Sequence, residues 1–244
     1  MKPQRSHVSL GNRARLFRLF LAEKHQPDPF YDALADRTIA GLQFPTEGAL
    51  VLDAGSGPGH YSRALERAGA RVIAVELLGD DLDRVVREGT TGLGADARRL
   101  PFSDAVFDGV FCSNMLEHTP DPAAVMAEIE RVLRPGAWAW VSWTNWYSPW
   151  GGHEIVPLHY LGPRLGLAVW RRLKGEPRKN VPFEGLWPTH VGRTLAMVRA
   201  RRGLHLVDAV PRYYPSQRWI LRIPVLREVA TWNCLLLLRR VADT

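Results

Sequence analysis

The chain has 244 residues, of which 46% are apolar and 23% are charged. That length and composition suit one α/β domain with an elaboration, or one domain plus a small cap, and they argue against extensive disorder. The only two cysteines, Cys112 and Cys234, predict neither a disulfide framework nor a zinc site, and they fit a reducing, intracellular setting. The sequence has no signal-peptide pattern and no apolar run of the roughly 18–20 residues that span a bilayer. We therefore expect a cytoplasmic protein, soluble or peripheral to the inner face of the membrane.

The net charge of +7 is concentrated in the C-terminal third of the chain. Residues 1–163 contain 16 Lys or Arg and 20 Asp or Glu, whereas residues 164–244 contain 16 and 5, so the net charges are −4 and +11. A basic region attracts phosphate, anionic lipid or an acidic substrate. A solvated, Arg-rich surface has the same composition, so both interpretations stay open.

Residues 1–42 are predicted to form an N-terminal helical segment, followed by a main domain that spans residues 43–244. Apolar and basic residues interleave over residues 1–25 with the spacing of an amphipathic helix. The prolines at Pro27 and Pro29 predict that this helix stops there, and a second helix is expected from Phe30 to Leu42. These helices could pack on the domain, close over a site as a lid, or face a membrane. The apolar residues of the first helix are Leu16, Phe17, Leu19, Phe20 and Leu21.

Residues 49–143 alternate between apolar strands and helices. Near-continuous apolar strands that alternate with helices predict a parallel sheet covered on both faces. Right-handed crossovers then give a Rossmann-like, doubly wound α/β fold. The predicted strands are 49–53, 71–76, 106–112 and 137–143, and the predicted helices are 61–68, 81–87 and 122–133.

The alternation breaks at about residues 144–188, which are rich in Trp, Pro, Gly and His. Because a structureless loop of this length is unusual, we expect a cap insertion with short helices, one of them over 163–173. Thr189 is predicted to N-cap a further helix that runs to Arg202, where Gly203 stops it. Two late strands are expected over 204–210 and 231–238.

A glycine-rich loop at residues 55–59 provides the strongest functional signal. It follows a predicted strand that ends in Asp53, and glycines there allow a tight turn and close approach of a ligand. The glycines have G-x-G-x-G spacing, which differs from the G-x-G-x-x-G pattern of dinucleotide-binding enzymes. Glu76 closes the second strand, where a carboxylate can accept hydrogen bonds from both hydroxyls of a ribose. Asp96 follows the expected end of a third strand.

With these motifs in this order, residues 48–145 resemble the class I methyltransferases that use S-adenosylmethionine (SAM), in particular their small-molecule and lipid branch. Phe107–Val110 with Leu116–His118 is similar to the family's fourth-strand segment, and Leu133–Gly136 to its turn before strand five. The resemblance implies SAM as cofactor, an antiparallel C-terminal hairpin, and residues 43–244 as the SAM-binding methyltransferase domain. The cofactor-binding residues that it implies are Asp53, Gly55, Ser56, Gly57, Gly59, Glu76, Leu77, Asp96, Ala97 and Asn114.

Catalytic residues are predicted less directly, because the cofactor already carries the activated methyl group. A general base is needed only when the acceptor loses a proton. The candidates are His153, Glu154 and His159, which follow the predicted strand 137–143 near the expected acceptor side. These residues could instead hold the cap together. No spacing rule assigns a metal to them, so we predict none. His118 is interpreted as a packing or helix-capping residue.

The acceptor is predicted to be a hydroxyl on a sugar, a glycolipid or another small amphiphilic metabolite. Clustered aromatic residues in the cap and the mixed apolar and Arg stretch 219–227 favour an amphiphilic or anionic acceptor, with an anionic membrane surface as a possible partner. That stretch could equally be a crossover between the last strands. Three alternatives compete with this prediction: a nucleic-acid methyltransferase, a non-enzymatic binding module and a nicotinamide oxidoreductase. The segment Cys112–Met115 lacks the motif of amino-directed base methylases, and the glycine spacing disfavours the oxidoreductase.

Overall fold

The computed structural model describes residues 18–19, 21–22 and 25–242, and the chain divides into two compact units, Met1–Gly94 and Ala95–Thr244. The predicted amphipathic helix of residues 1–25 lies mostly outside the described residues, although Arg18, Leu19, Leu21 and Ala22 are helical. Among the helices that are described, none is both long enough and apolar enough to cross a membrane.

Over residues 25–94 the first unit contains three parallel strands, in the order β3-β2-β1, and three helices. Val51, Leu52 and Ala74 are fully buried, as expected of a sheet covered on both faces. The helix predicted from Phe30 to Leu42 begins earlier, at Pro27, and Gln26 before it is not helical. Proline fits the first turn of a helix, where its missing N–H has no partner to lose. The elements are α1 (Pro27–Ala40), β1 (Leu50–Ala54), α2 (His60–Arg67), β2 (Arg71–Glu76), α3 (Asp80–Arg87) and β3 (Thr91–Gly94).

The second unit contains four strands, in the order β4-β5-β7-β6, with β4 and β5 parallel and β7 antiparallel to both of its neighbours. Seven strands, mostly parallel with one C-terminal antiparallel hairpin, confirm the predicted fold class. Both late strands lie within two residues of their predicted bounds. The elements are β4 (Phe107–Ser113), α4 (Pro122–Val132), β5 (Leu133–Thr144), α5 (Pro163–Lys174), α6 (Val191–Arg199), β6 (Leu204–Pro211), α7 (Pro224–Ala230) and β7 (Asn233–Arg240).

The carboxyl ends of β4 and β5 form one edge of the second unit. Ser113 pairs with Ser142 near both ends, Thr144 pairs with Asn233 at the start of β7, and Pro211 at the end of β6 pairs with Cys234. Residues that follow β4, β5 and β6, or precede β7, therefore gather at this edge. In open α/β sheets the carboxyl edge is where ligands bind.

The cap segment, residues 144–188, has a small core of its own. Trp146, Ile155, Leu167 and Leu186 are buried together. Two 3-10 helices precede α5, whose start at Pro163 confirms the predicted helix. The 3-10 helices span His153–Ile155 and Leu158–Leu161.

The predicted N-cap at Thr189 was wrong. Helix α6 begins at Val191, and its first N–H groups, on Val191 and Gly192, donate to the carboxylate of Glu228 in α7 at 2.9 and 2.8 Å. Thr189 instead donates to the carbonyl of Trp187. A carboxylate at a helix N-terminus satisfies unpaired N–H groups and the helix dipole together, so a capping residue from the chain before α6 is not needed.

Gly109 allows the ring of Trp138 to cross the neighbouring strand, and a Gly109→Ala substitution is expected to destabilise the protein. A Cβ at residue 109 would overlap the buried Trp138 indole. Overpacking of this kind costs about 1–3 kcal/mol, measurable as a lower free energy of unfolding in urea. Gly185→Ala is the matched control, because its added Cβ would meet no described atom closer than 3.9 Å. Equal stability of Gly109→Ala and wild type would contradict this packing.

Candidate cofactor and acceptor sites

The glycine loop connects β1 to α2 through three left-handed residues. Gly55, Gly57 and Gly59 have φ values of +74°, +50° and +81°. A Cβ on Gly59 would lie 2.9 Å from Val85, whereas one on Gly57 would meet no described atom within 4 Å. The N–H groups of Gly55 and Ser56 both donate to the carbonyl of Val75 in β2, at 2.9 and 3.1 Å. The loop is thus fixed to the sheet at its start and open at Gly57, where a ligand can approach the backbone.

Glu76 holds the glycine loop from the end of β2. Its Oε2 accepts a hydrogen bond from the N–H of Gly57 at 2.7 Å, and its Oε1 accepts one from the N–H of Leu77 at 2.9 Å. Each carboxylate oxygen can accept more than one hydrogen bond, so these contacts leave room for hydroxyl donors. The predicted ribose acid, Glu76, is therefore hydrogen-bonded to the glycine loop that is predicted to bind the cofactor.

Asp53 is buried at the end of β1, with a side chain that accepts a 2.6 Å hydrogen bond from the hydroxyl of Ser62. The pKa of Asp53 is raised to about 7, chiefly by burial; the Ser62 hydrogen bond opposes this rise, and the negative charge of Glu76 contributes to it. Near neutral pH this carboxyl is divided between its protonated and ionised forms. A cationic ligand placed beside it would favour the ionised form.

Asp96 and Ala97, two of the implied cofactor-binding residues, lie at the start of the second unit. Asp96 accepts hydrogen bonds from the backbone N–H of Arg98 at 2.9 Å and from the guanidinium of the same residue. The Arg98 side chain lowers the pKa of Asp96, so this carboxyl is ionised at neutral pH. Asp96 and Ala97 lie in the turn after β3, where the sequence placed them.

Asn114 follows β4 in a left-handed conformation, with φ of +53°, and its side chain is the centre of a polar cluster. Its Oδ1 accepts hydrogen bonds from Asn233 Nδ2 at 2.9 Å, and from the Ser142 hydroxyl and the Arg212 guanidinium at 3.2 Å each. Arg212 also stacks over the Trp140 ring at 4.7 Å. No sequence pattern reveals this cluster, because its members lie in or directly after four strands, β4 to β7, whose register the sequence does not show.

The structure does not bring together the three residues predicted as candidate bases. Glu154 accepts hydrogen bonds from the backbone N–H groups of Arg178 and Lys179, and so closes the loop after α5. His159 is fully buried, and its Nε2 lies 3.0 Å from the carbonyl oxygen of Ser148. His153 has a φ of +48°, and burial, with His118 next, lowers its pKa to about 4. The ring of His153 is therefore neutral at pH 7, and a catalytic role for any of the three stays a prediction.

Glu117 is a buried acid that the sequence analysis did not select. It follows β4, and its Oε1 accepts a 2.8 Å hydrogen bond from the N–H of Thr144 at the end of β5. Burial raises the pKa of this carboxyl. The ligand atoms of Glu117, His118 and His153 all lie within 4.8 Å of one another. No pattern in the sequence revealed this grouping, since His153 comes from the cap segment, 35 residues after His118.

An exposed aromatic cluster, which consists of Trp150, Tyr214 and Trp232, lies at the carboxyl edge of the second unit. The ring centroids of Trp150 and Trp232 are 4.9 Å apart, and those of Tyr214 and Trp232 are 5.8 Å apart. Trp150 is 52% exposed and Trp232 is 39% exposed. The Tyr214 hydroxyl fixes the arrangement by accepting a 2.8 Å hydrogen bond from the backbone N–H of Trp232. Two indoles with accessible faces can pack on an apolar ligand surface.

The fold and the glycine loop define a Rossmann-like protein that binds a nucleotide-containing cofactor. The family model of the methyltransferase domain matches residues 52–141. A protein of Mycobacterium avium described as an uncharacterized methyltransferase is 36% identical over 95% of this chain and 96% of its own length. Another from Mycobacteroides abscessus is 37% identical over 95% of each chain. This chain therefore belongs to the class I SAM-dependent methyltransferase superfamily.

A solved structure supports the same fold. The SAM-dependent methyltransferase of Mesorhizobium loti aligns with a TM-score of 0.59 and 22% identity, over 86% of this chain and 98% of that one. SAM is the cofactor of the family, and it supplies an activated methyl group. The open backbone at Gly57 and the carboxylate of Glu76 fit a nucleoside whose ribose hydroxyls need acceptors.

Proposed function

We propose that this methyltransferase transfers the methyl group of SAM to a hydroxyl of a sugar, a glycolipid or another small amphiphilic metabolite. The observation that carries the proposal is the exposed aromatic cluster of Trp150, Tyr214 and Trp232 at the carboxyl edge of the second unit. Indole faces pack on the apolar faces of sugar rings and on acyl chains, whereas phosphate is bound by charged and polar groups. The cluster therefore favours an acceptor with apolar surface. The proton acceptor for such a hydroxyl stays a prediction for His153, Glu154 and His159.

We also propose that the protein is cytoplasmic and works at an anionic membrane surface. The segment between β6 and β7 forms a 3-10 helix, Pro215–Arg222, followed by α7. Its exposed apolar side chains include Trp219, Ile223 and Val225, of which Val225 is 78% exposed. Arg218 and Arg222 are exposed beside them. Apolar groups next to basic ones suit the interface between lipid headgroups and acyl chains.

The residues proposed to hold SAM are those that the resemblance implies, unit by unit. In the second unit they are Asp96, Ala97 and Asn114. In the first unit they are Asp53, Gly55, Ser56, Gly57, Gly59, Glu76 and Leu77.

Trp232→Ala and Trp150→Ala are expected to lower kcat/KM for an amphiphilic hydroxyl acceptor at least tenfold, which is about 1.4 kcal/mol, and to leave the Kd for SAM unchanged. Each substitution removes one of the two indoles, which meet edge to face, without touching the glycine loop. The measurement is transfer of labelled methyl from SAM to alkyl glycosides and glycolipids, with RNA oligonucleotides assayed in parallel.

Trp219→Ala is the matched control. Its indole is also exposed, but its ring N–H donates to Gln217 on the surface segment between β6 and β7. This variant is expected to keep the wild-type kcat/KM for a water-soluble alkyl glycoside. It is expected to reduce the fraction of protein that sediments with vesicles that contain phosphatidylserine. Methyl transfer to RNA, or acceptor kinetics that are insensitive to both Trp150 and Trp232, would refute the proposed acceptor class.

A further inference from the structure

The 117–118–153 cluster, which consists of Glu117, His118 and His153, contains buried polar atoms that have no hydrogen-bond partner among the described residues. Oε2 of Glu117 and Nε2 of His153 are both in this state. Glu117 itself is only 1% exposed. A buried carboxylate oxygen without a hydrogen-bond partner destabilises the folded protein. Two such acceptors that face the same small space call for a cation or a donor between them.

The remaining contacts of the cluster orient its side chains toward that space. The second oxygen of Glu117, Oε1, is held by the N–H of Thr144 at 2.8 Å. Nδ1 of His118 lies 2.8 Å from the carbonyl oxygen of Gly185, so it carries the proton and donates it there. The Nε2 lone pair of His118 is then available to a ligand. A histidine that donates its other N–H to a backbone carbonyl is the usual arrangement at protein metal sites.

We propose that the 117–118–153 cluster binds one divalent transition-metal ion, of the class to which Zn²⁺ belongs. Two imidazoles and one carboxylate are a known ligand set for zinc, and for other first-row metals. The three ligand atoms lie within 4.8 Å of one another. Ligand atoms around a four-coordinate zinc with bonds of about 2.0 Å lie roughly 3.3 Å apart, so the side chains must close in by roughly 1.5 Å at most.

Three protein ligands leave a coordination position open for an oxygen ligand, a water or the hydroxyl of an acceptor. The cluster lies at the carboxyl edge of the second unit, where a ligand is expected to bind. Glu117 follows β4 and is hydrogen-bonded to Thr144, the last residue of β5. His118 and His153 are partly exposed, which provides a path of entry for the ion. The metal site does not depend on the identity of the acceptor.

The test is a titration of the chelator-treated, full-length protein with Zn²⁺ by calorimetry, without SAM or acceptor. We expect one equivalent per chain and a saturable rise in Tm. Co²⁺ is expected to give the visible absorption bands of a low-symmetry site with nitrogen and oxygen ligands. Loss of a group that only orients a metal ligand costs about 10–100-fold in metal affinity. Loss of a ligand itself costs at least as much, so Glu117→Gln and His153→Gln are each expected to weaken Zn²⁺ binding by about a hundredfold or more.

Both substitutions keep a polar side chain of similar size, and circular dichroism establishes that each variant is folded. His205→Gln, which removes an exposed imidazole on β6, is the matched control and is expected to leave the affinity unchanged. Absence of stoichiometric binding by folded wild-type protein would overturn the proposal and leave a buried water as the partner of these atoms. Binding that survives both cluster substitutions would also overturn it, because the ion would then lie elsewhere.

Discussion

A Glu76→Ala variant is expected to bind SAM and S-adenosylhomocysteine much more than tenfold less tightly than wild type, a loss above about 1.4 kcal/mol. The substitution removes the proposed acceptor of both ribose hydroxyls. It also removes the 2.7 Å hydrogen bond that holds the N–H of Gly57, so the middle of the glycine loop loses its tie to β2, while Gly55 and Ser56 keep theirs to Val75. Because the same carboxylate orders the loop and is proposed to contact the ribose, the effect is expected to exceed that of one lost hydrogen bond. Calorimetric titration of both ligands measures it.

Glu47→Ala is the matched control for the Glu76 variant. Glu47 is an exposed carboxylate that precedes β1, at the opposite end of the strand from the glycine loop. Its loss changes the net charge by the same amount and is expected to leave the affinity for SAM unchanged. If the two variants bind SAM equally well, the assignment of Glu76 to the ribose is incorrect.

The first unit was predictable because its signals are local. Buried parallel strands are apolar over their whole length, and the turn after β1 needs left-handed residues that only glycine adopts without strain. Residues 50–59 therefore specify both a strand and a loop without information from the rest of the chain. Glu76 could be found for the same reason, since it is the last residue of an apolar strand.

The acceptor side was not predictable to the same depth, because its contacts join distant parts of the sequence. Asn114 bonds to Arg212 and Asn233, about 100 residues away, through a register that a sequence pattern does not encode. The N-terminus of α6 was misplaced for a similar reason, since its capping carboxylate, Glu228, comes from a later helix. Glu117 carries no sequence signal of its own beyond the family's fourth-strand segment, and only its burial singles it out.

The buried carboxyl of Asp53 is expected to make the stability of the ligand-free protein fall as pH rises. Its pKa of about 7 in the folded state lies above its ordinary value of 3.8, so the folded state binds the proton more tightly than the unfolded state does. The stability linked to this group is therefore fully present below about pH 4 and is lost as pH rises to about 7. A difference of about 3 pKa units corresponds to roughly 4 kcal/mol, as an upper value.

Asp53→Asn removes this titration and can still accept the hydrogen bond from Ser62. In urea unfolding without SAM, the variant is expected to be more stable than wild type at pH 8 by up to roughly 4 kcal/mol, with the advantage disappearing toward pH 4. Asp81→Asn, on the exposed first turn of α3, is expected to show no comparable pH-dependent gain. A wild-type-minus-variant difference that stays constant between pH 4 and pH 8 would mean that Asp53 is ionised at its ordinary pKa. The negative charge would then be present at the end of β1 before any cationic ligand arrives, and SAM would bind without the release of a proton from this carboxyl.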